Sequence, residues 1–265
     1  MPAVREAKDE AFWADYLTHP DSFIATGRRV FSHLPTDPRC RLCAAPFAGA
    51  GGAFMRMIGK RQSSTNPNYC NSCEKVLRKH HGGAEIDGSM LFADIRGSTA
   101  LAETMSPSEF RAFLDRFYTT ASGVVVEHDG MVDKFVGDEL MAVFPPLLSA
   151  ERHAARAVAA ATALLTATGH ADPGGPWVPL GAGVNTGRAW FGVVGEGSYV
   201  ELTVVGDSVN VAARLAAAAK VGEIVISAAA AEKAGLDAGL ERRSLELKGK
   251  QQPTDVVTLR VGPVR

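Results

Sequence analysis

Cysteine is confined to one part of the chain, and this divides the sequence into two regions. Cys40 and Cys43 form one C-x-x-C pair, Cys70 and Cys73 form a second, and 26 residues separate the pairs. None of the 192 residues after Cys73 is a cysteine. Two such pairs are typical of a site in which four thiolates hold one metal ion. The loop between the two pairs is long and polar, so it would close only weakly without a metal ion.

The spacing favours structural zinc, although two alternatives stay open. An iron–sulfur cluster would make this region a redox or oxygen sensor. Reducible disulfides are the third possibility, but the pattern is not that of a disulfide-dense secreted protein. Basic residues are frequent here, yet no aromatic residues are interleaved with them, so a solvated surface is favoured over nucleic-acid binding.

The whole-chain composition excludes several classes of protein. The chain has 265 residues, 46% of them apolar and 22% charged, with a formal net charge of −1. This is the balance of an ordinary globular protein without a basic field for nucleic acid or anionic lipid. No run of 18 apolar residues occurs and the first residues are charged, so we expect no membrane span and a cytoplasmic location.

A change of pattern near Gly82-Gly83 predicts a domain boundary, with a helical four-cysteine module over 1–83 and a second domain over 84–265. In the second domain strands and helices interleave and hairpins occur, which predicts an α+β fold with a mixed sheet. Strands are expected at 89–95, 131–136, 139–144, 180–185, 189–194, 199–205, 223–227, 241–248 and 255–260. Helices are expected after the capping box at Ser106, over 149–167, from an N-cap at Asp207 to 219, and over 228–235.

Two aspartates lie where strands end. Asp94 closes the apolar run 89–95, and Asp138 lies in the tight turn of the hairpin 131–144. If these strands are neighbours, the two carboxylates converge and can hold Mg²⁺ or Mn²⁺ together with substrate phosphates. The turn that follows Asp94 contains Gly97, Ser98 and Thr99, whose backbone N–H groups can cradle a polyphosphate. The alternative is that both aspartates only form turns.

Polar residues recur along the predicted helix that starts at Asp207. Asn210 and Arg214 are four residues apart and so share one helix face. An amide and a guanidinium on one face suit a ribose or a phosphate, although a solvated arginine is equally compatible with this segment alone.

Five segments, taken in order, resemble the class III nucleotidyl cyclase catalytic domain, the adenylyl and guanylyl cyclase family. They are FADIRGST (92–99), DKFVGDELMAVF (133–144), GVNTG (183–187), VVGDSVNVAARL (204–215) and ELKGKQQP (246–253). The resemblance covers about residues 85–260. It implies a ferredoxin-like α+β domain that dimerises and converts a nucleoside triphosphate into a 3′,5′-cyclic nucleotide and pyrophosphate.

The resemblance also implies roles for single residues. Asp94, Asp138 and the backbone carbonyl of Ile95 match the ligands of two Mg²⁺ or Mn²⁺ ions in each active site. Lys134 and Thr203 match the base-recognition positions. Further matches are Asn210 to the asparagine that orients the ribose, Arg214 to the arginine that stabilises the transition state, and Lys248 to a lysine that contacts the terminal phosphates.

In the family, metal ligands and base-reading residues of one chain serve different sites, so the resemblance implies a homodimer with two equivalent sites. Lysine only donates hydrogen bonds, and adenine N1 accepts whereas guanine N1 carries a hydrogen, so Lys134 favours ATP. Many family members have an aspartate at the position of Thr203, so this chain departs from them. A threonine at this position resembles a bacterial subgroup of adenylyl cyclases. The expectation is a soluble adenylate cyclase in signal transduction.

Three other functions were weighed against this one. A guanylate cyclase remains open because the Thr203 hydroxyl can both accept and donate. A diguanylate cyclase shares the hairpin sequence GDE, but Lys134, Asn210 and Arg214 argue against it. An inactive scaffold is disfavoured because a competent residue fills every matched catalytic position.

Overall fold

The structure is a computed structural model that describes residues 2–19, 23–32, 34, 38–195, 200–250 and 252–262, without the side chains of 2–6, 23–25 and 29. The helices are α1 (Pro2–Thr18), α2 (Phe23–Phe31), α3 (Gly49–Met57), α4 (Asn71–Lys79), α5 (Ser98–Thr104), α6 (Pro107–Glu127), α7 (Pro146–Ser149), α8 (His153–Ala167), α9 (Asp207–Ala218) and α10 (Ala228–Lys233). The strands are β1 (Gly82–Ile95), β2 (Met131–Val136), β3 (Glu139–Phe144), β4 (Leu180–Val194), β5 (Glu201–Val205), β6 (Glu223–Ser227), β7 (Glu241–Leu245) and β8 (Thr254–Arg260).

Contacts group the chain into two compact units that interleave along the sequence. The smaller unit consists of Met1–Ile86, Pro145–Ala150 and Ala189–Val205. The larger unit consists of Asp87–Phe144, Glu151–Arg188 and Gly206–Arg265. The four-cysteine region and β5 therefore belong to one unit, and the hairpin β2–β3 and helix α9 belong to the other.

The larger unit is built on a mixed sheet with the strand order β2-β3-β1-β4-β6-β8-β7. Strand β3 pairs antiparallel with β2 and with β1, and β8 pairs antiparallel with β6 and with β7, whereas β4 and β6 are parallel. The expected mixed sheet is therefore present.

Apolar side chains pack on both faces of this sheet. Alternate residues of a strand point to opposite sides, so one strand contributes to both clusters. Ile224 and Ile226 of β6 pack in the main core, which also contains the apolar residues of α6, α8 and α10. Val225 between them packs in a second cluster with Val211 and Leu215 of α9. Helix α9 thus packs against the face opposite to the main core, and it carries Asn210 and Arg214 on that side of the sheet.

Several predicted elements are confirmed. Strands β2 and β3 have the predicted bounds, and α6 begins with the predicted capping box, in which the Ser106 side chain accepts from the backbone N–H of Glu109. One face of α6 is apolar and packs into the core, since Phe117, Ala121 and Val124 are buried.

Three local predictions were wrong. Residues 180–194 form the single strand β4 rather than two strands. Strand β1 already begins at Gly82, and Gly83 is needed there because a Cβ on it would lie 2.5 Å from the Cα of Gly192. Asp207 is not the N-cap of α9: Gly206 is, and the Asp207 carboxylate instead pairs with Lys250. Tight backbone packing explains the glycine in β1, and a distant lysine explains the position of the Asp207 carboxylate. Local sequence reveals neither cause.

The smaller unit has buried apolar residues of its own. Trp13 and Leu17 of α1 are buried in this unit, as are Leu42, Met55 and Tyr69 around the cysteines. The Trp13 indole donates a hydrogen bond of 3.1 Å to the carbonyl of His80. Of the helices in the described part of the chain, none combines the length and the apolar character that a bilayer span requires.

Candidate functional site

The aspartates Asp94 and Asp138 meet at one edge of the sheet. In the pairing of β1 with β3, Asp94 lies opposite Glu139, the residue next to Asp138. Burial raises the pKa of Asp94, and the neighbouring Asp138 carboxylate raises it further. The predicted convergence is therefore present, and the two carboxylates are close enough to repel each other. Such a pair gains from a cation between them.

Two neighbours of this pair were not predicted to take part. Glu139 is half-buried, and its pKa is raised by burial and by both aspartates. Arg96 places one guanidinium nitrogen 3.0 Å from Asp94 Oδ2. The same nitrogen donates to the carbonyl of Ala216 at 2.7 Å, so Arg96 ties the carboxylates to the end of α9. These contacts join segments more than a hundred residues apart, and no sequence pattern signals them.

The donor atoms at this edge fit a hard divalent cation. Asp94 and Asp138 supply carboxylate oxygens, and the backbone of Ile95 supplies a carbonyl at the end of β1. Mg²⁺ and Mn²⁺ prefer such oxygen donors, with substrate phosphates completing the coordination. Burial, together with the neighbouring Asp138 carboxylate, raises the pKa of Asp94 although Arg96 lowers it, so the charged form of Asp94 gains from a nearby cation.

The predicted phosphate-binding turn follows directly. Gly97 has a φ of 73°, in the left-handed region that favours glycine, and α5 begins at Ser98. Thr99 is exposed in the first turn of this helix. The turn thus has the expected form, with Ser98 and Thr99 in the first turn of the helix that follows it.

Helix α9 is held on strand β4 by the GVNTG segment (183–187), whose role was not predicted. A Cβ at Gly183 would lie 2.1 Å from the backbone nitrogen of Ala216, so only glycine allows this approach. The buried Asn185 donates to the carbonyl of Ser208 at 2.8 Å, and the Ser208 hydroxyl donates to the carbonyl of Arg188 at 2.8 Å. These contacts fix the start of α9, and Asn185 is a positioning residue that sequence analysis missed.

The two polar residues predicted on α9 have different environments. Asn210 is exposed, whereas Arg214 is half-buried. The Arg214 guanidinium lies against the backbone at Gly249, where a Cβ would come within 3.4 Å of Nη2. Arg214 is therefore held by the loop that carries Lys248, and Asn210 is open to a ligand.

Lys248 is exposed on that loop, as a phosphate-binding lysine requires. Its neighbour Lys250 forms an ion pair with Asp207, the first residue of α9. The loop also lines an open cleft of about 500 Å³ together with Gln252 and Pro253. Lys248 and α9 thus belong to one surface of the larger unit.

Lys134 lies beside an irregularity in the hairpin. The register of β2 against β3 shifts between Val132 and Lys134, which marks a β-bulge at Asp133. Lys134 Nζ lies 3.3 Å from Asp133 Oδ2, and the Asp133 side chain is fully buried. A buried carboxylate is costly without a cation, so Lys134 also neutralises Asp133 within the chain.

Thr203 lies in the smaller unit, on β5, opposite Gly192 of β4. Its exposed fraction is 6%, so Thr203 is packed against its neighbours and is expected to move together with strand β5.

The four cysteines come together as the sequence predicted. Their sulfur atoms all lie within 4.8 Å of one another, and Cys43 Sγ and Cys70 Sγ are 3.8 Å apart. The backbone N–H of Cys70 donates to Cys40 Sγ at 3.2 Å. Hydrogen bonds from the other thiols lower the pKa of Cys70, and the same interactions raise the pKa of Cys73. The cluster therefore releases a first proton readily, as thiolate ligation of a metal ion requires.

Comparisons with known proteins agree with the resemblance seen in the sequence. The protein-family model of the adenylate and guanylate cyclase catalytic domain matches residues 85–259 of the chain. Crystal structures of the guanylyl cyclase Cya2 (27% identity, TM-score 0.62) and of the adenylyl cyclase CyaB from P. aeruginosa (26%, 0.58) each cover 69% of the chain and, respectively, 96% and 97% of their own. The predicted α+β cyclase fold is confirmed.

Curated relatives match in sequence over parts of their length. An adenylate cyclase from Anabaena cylindrica is 34% identical over 131 residues, which is 48% of this chain and 26% of the relative. An uncharacterized Mycobacterium bovis protein is 32% identical over 185 residues, or 67% of this chain and 34% of its own length. The chain thus spans about a third of the length of that relative.

Proposed function

The chain belongs to the adenylate and guanylate cyclase family, and from that premise we propose that it converts ATP into 3′,5′-cyclic AMP and pyrophosphate. The observation that carries this proposal is the meeting of Asp94 and Asp138 at one sheet edge, with a raised pKa at Asp94. Divalent cations bound there would favour attack by the ribose 3′-hydroxyl on the α-phosphate and neutralise the leaving pyrophosphate.

The residues of the chain divide the remaining tasks. Asn210, exposed on α9, orients the ribose so that its 3′-hydroxyl faces the α-phosphate. Arg214, held against the Gly249 backbone, meets the charge that develops on the phosphoryl oxygens. Lys248 and the turn formed by Gly97, Ser98 and Thr99 bind the terminal phosphates.

We propose that two copies of the chain form two equivalent sites. Asp94 and Asp138 of one copy act with Lys134, Thr203, Asn210 and Arg214 of the other. Dimerisation is then required for activity, because a single copy supplies each site with half of its residues.

The choice of ATP depends on Lys134. Its ammonium group can only donate, which suits adenine N1 and leaves guanine N1–H facing another donor. In the single chain Lys134 pairs with the buried Asp133, so this ion pair must loosen or be shared when the base binds. A buried donor without an acceptor discriminates strongly between bases.

Guanylate cyclase activity is the second candidate, favoured by the similarity to the guanylyl cyclase Cya2. The test is a product assay on the purified chain with equal ATP and GTP in Mg²⁺ or Mn²⁺. Faster formation of cyclic AMP supports the proposal. Faster formation of cyclic GMP overturns the choice of ATP, and the absence of both products overturns the cyclase function.

For the four-cysteine module, residues 1–83, we propose a structural or regulatory role around one Zn²⁺ ion, in a protein of the cytoplasm. A tetrahedron with Zn–S bonds of about 2.3 Å has edges of about 3.8 Å, which is the separation of Cys43 Sγ and Cys70 Sγ. Metal analysis tests this. One zinc per colourless chain supports it, whereas a brown protein that contains iron and sulfide identifies an iron–sulfur cluster.

A further inference from the structure

The loops that carry the four cysteines contact three consecutive residues, the one before strand β5 and the first two of the strand. The Asn66 side chain donates to the carbonyl of Val200 at 2.9 Å. The Arg41 guanidinium lies 3.4 Å from a carboxylate oxygen of Glu201. The backbone N–H of Leu202 donates to the hydroxyl of Tyr69 at 3.3 Å. All of these residues belong to the smaller unit.

Two of the three contacting residues adjoin cysteines in the sequence and are bonded within the loops that carry them. Tyr69 immediately precedes Cys70, is 1% exposed, and accepts from the backbone N–H of Ser63 at 2.9 Å. Arg41 lies between Cys40 and Cys43, and its backbone N–H donates to the carbonyl of Asn68 at 2.9 Å. The conformation of this loop therefore depends on the thiols that an ion would hold together.

Strand β5 needs this support because it is an edge strand. In the described part of the chain, β5 pairs with β4 alone. An unpaired edge leaves backbone groups without partners, and the Leu202 N–H finds its acceptor in Tyr69 rather than in another strand. The contact with the four-cysteine region thus covers the free edge of β5.

Thr203 is the next residue along the same strand. Because its side chain is 6% exposed, its hydroxyl has little freedom apart from that of the strand. We propose that Tyr69, Asn66 and Arg41 are positioning residues for Thr203, and that occupancy of the four-cysteine site thereby sets the affinity for the nucleotide base. The proposal rests on the base-reading role of Thr203 given under the proposed function.

The first test combines nucleotide kinetics with residue-resolved amide hydrogen exchange on the full chain. Tyr69→Phe keeps the ring and removes the acceptor of the Leu202 N–H. We expect faster exchange at Leu202 and Thr203, a three- to tenfold higher KM for ATP, and a kcat within about twofold of the wild type, since one hydrogen bond is lost and the chemistry is untouched. Unchanged exchange and unchanged KM would overturn the proposal.

Matched variants separate positioning from general damage. Asn66→Ala should raise KM, whereas Gln62→Ala should not, because the Gln62 amide donates to the carbonyl of Pro67 within its own loop. Arg41→Lys keeps a positive charge beside Glu201 and should retain the wild-type KM that Arg41→Gln loses. Equal effects of Asn66→Ala and Gln62→Ala, at wild-type metal content, would overturn the proposal.

Metal removal is the second arm. A chelator that strips the ion from the four cysteines should increase exchange at 200–205 and raise KM as Tyr69→Phe does, and readdition of Zn²⁺ should reverse both. Amide hydrogen exchange at 200–205 that is the same with and without the ion would contradict the proposed coupling between the four-cysteine site and β5. A wild-type chain that makes no cyclic nucleotide would refute the proposed function. Hydrogen exchange needs no catalysis, so the metal-removal experiment would still test the contact between the four-cysteine region and β5.

Discussion

The larger unit and the four-cysteine region bury quite different material. In the larger unit, apolar side chains of β1, β3, β4 and β6 pack with those of α6, α8 and α10 into one continuous core. In the four-cysteine region, residues 38–79, the buried residues cluster around four thiols and include apolar side chains such as Leu42 and Met55. Apolar burial can stabilise the first arrangement alone, whereas we expect the second to need an ion.

The ions expected in the two regions therefore differ in purpose. At the sheet edge Asp94 and Asp138 repel each other in a fold that is already complete, so a cation there serves the reaction. At the cysteines, the ligands are the centre of the structure, so an ion there serves the fold. Removing the ion at the sheet edge should abolish activity without unfolding the larger unit. Removing the ion at the cysteines should destabilise the fold of the four-cysteine region. Variants can test each half of this comparison.

The largest expected effect is on the four-cysteine region itself. Cys70→Ser should abolish stoichiometric metal binding and expose 38–79 to protease, because a structural zinc site supplies on the order of 10 kcal/mol to the folding of such small regions. The strands β2, β3 and β1 should keep their slow hydrogen exchange. Ser72→Ala, an exposed residue between the two ligands, is the control and should behave as the wild type. Equal loss of protection in both regions would contradict the comparison.

The next effect concerns activity without loss of structure. Asp138→Asn should lower kcat by at least about a hundredfold, since the loss of a metal ligand removes several kcal/mol of transition-state stabilisation. The free energy of unfolding should stay constant or rise, because the change relieves repulsion with Asp94 and Glu139. Glu127→Gln removes an exposed carboxylate elsewhere and should leave kcat unchanged. Persistent cyclase activity in Asp138→Asn would show that the metal assignment is wrong.

A third effect tests the core of the larger unit alone. His153 is buried beside Ser89, whose hydroxyl lies 2.8 Å from Nδ1, and burial lowers the pKa of His153 to about 4. The unfolded chain, with a histidine pKa of 6.5, then binds the proton more tightly than the folded chain. The contribution of this residue is complete above pH 6.5 and is lost as the pH falls toward about 4, by at most about 3 kcal/mol.

Urea unfolding from pH 7.5 to pH 4 measures this loss, with His153→Gln as the comparison. The variant should show a flatter dependence of the unfolding free energy on pH, and the exchange of amides in the four-cysteine region should not follow the same curve. An identical pH dependence in the variant and the wild type would contradict the assignment.

The smallest effect concerns base selectivity. Lys134→Gln should raise KM for ATP about tenfold and change KM for GTP less, because the lost donor contacts an acceptor only in adenine. Lys220→Gln, at an exposed lysine, controls for the change of charge. Since Lys134 also neutralises the buried Asp133, thermal unfolding must accompany the kinetics. A KM ratio that does not change would count against Lys134 as the base reader.

The sequence predicted the features whose causes are local. The hairpin β2–β3, the capping box at Ser106 and the meeting of the four cysteines all follow from patterns within a few residues of each other or from ligand chemistry. The family segments also predicted that Asp94 and Asp138 would meet.

Features caused by distant contacts were not predicted. Arg96 links Asp94 to the end of α9, and Asn185 holds the start of that helix, across separations that no local pattern encodes. The same is true of Tyr69 and its hydrogen bond to β5, 133 residues further along the chain. Asp207 looked like an N-cap because its distant partner Lys250 was not apparent from the sequence.

The central claim is that the chain is a nucleotidyl cyclase whose sites are shared between two copies, and a mixing experiment tests it most directly. Asp138→Asn lacks a proposed metal ligand and Arg214→Ala lacks the arginine proposed to stabilise the transition state, so each should be inactive alone. After co-expression, half of the dimers should combine both chains and carry one intact site, which restores about a quarter of the wild-type rate of cyclic AMP formation. A mixture as inactive as its components would contradict shared sites.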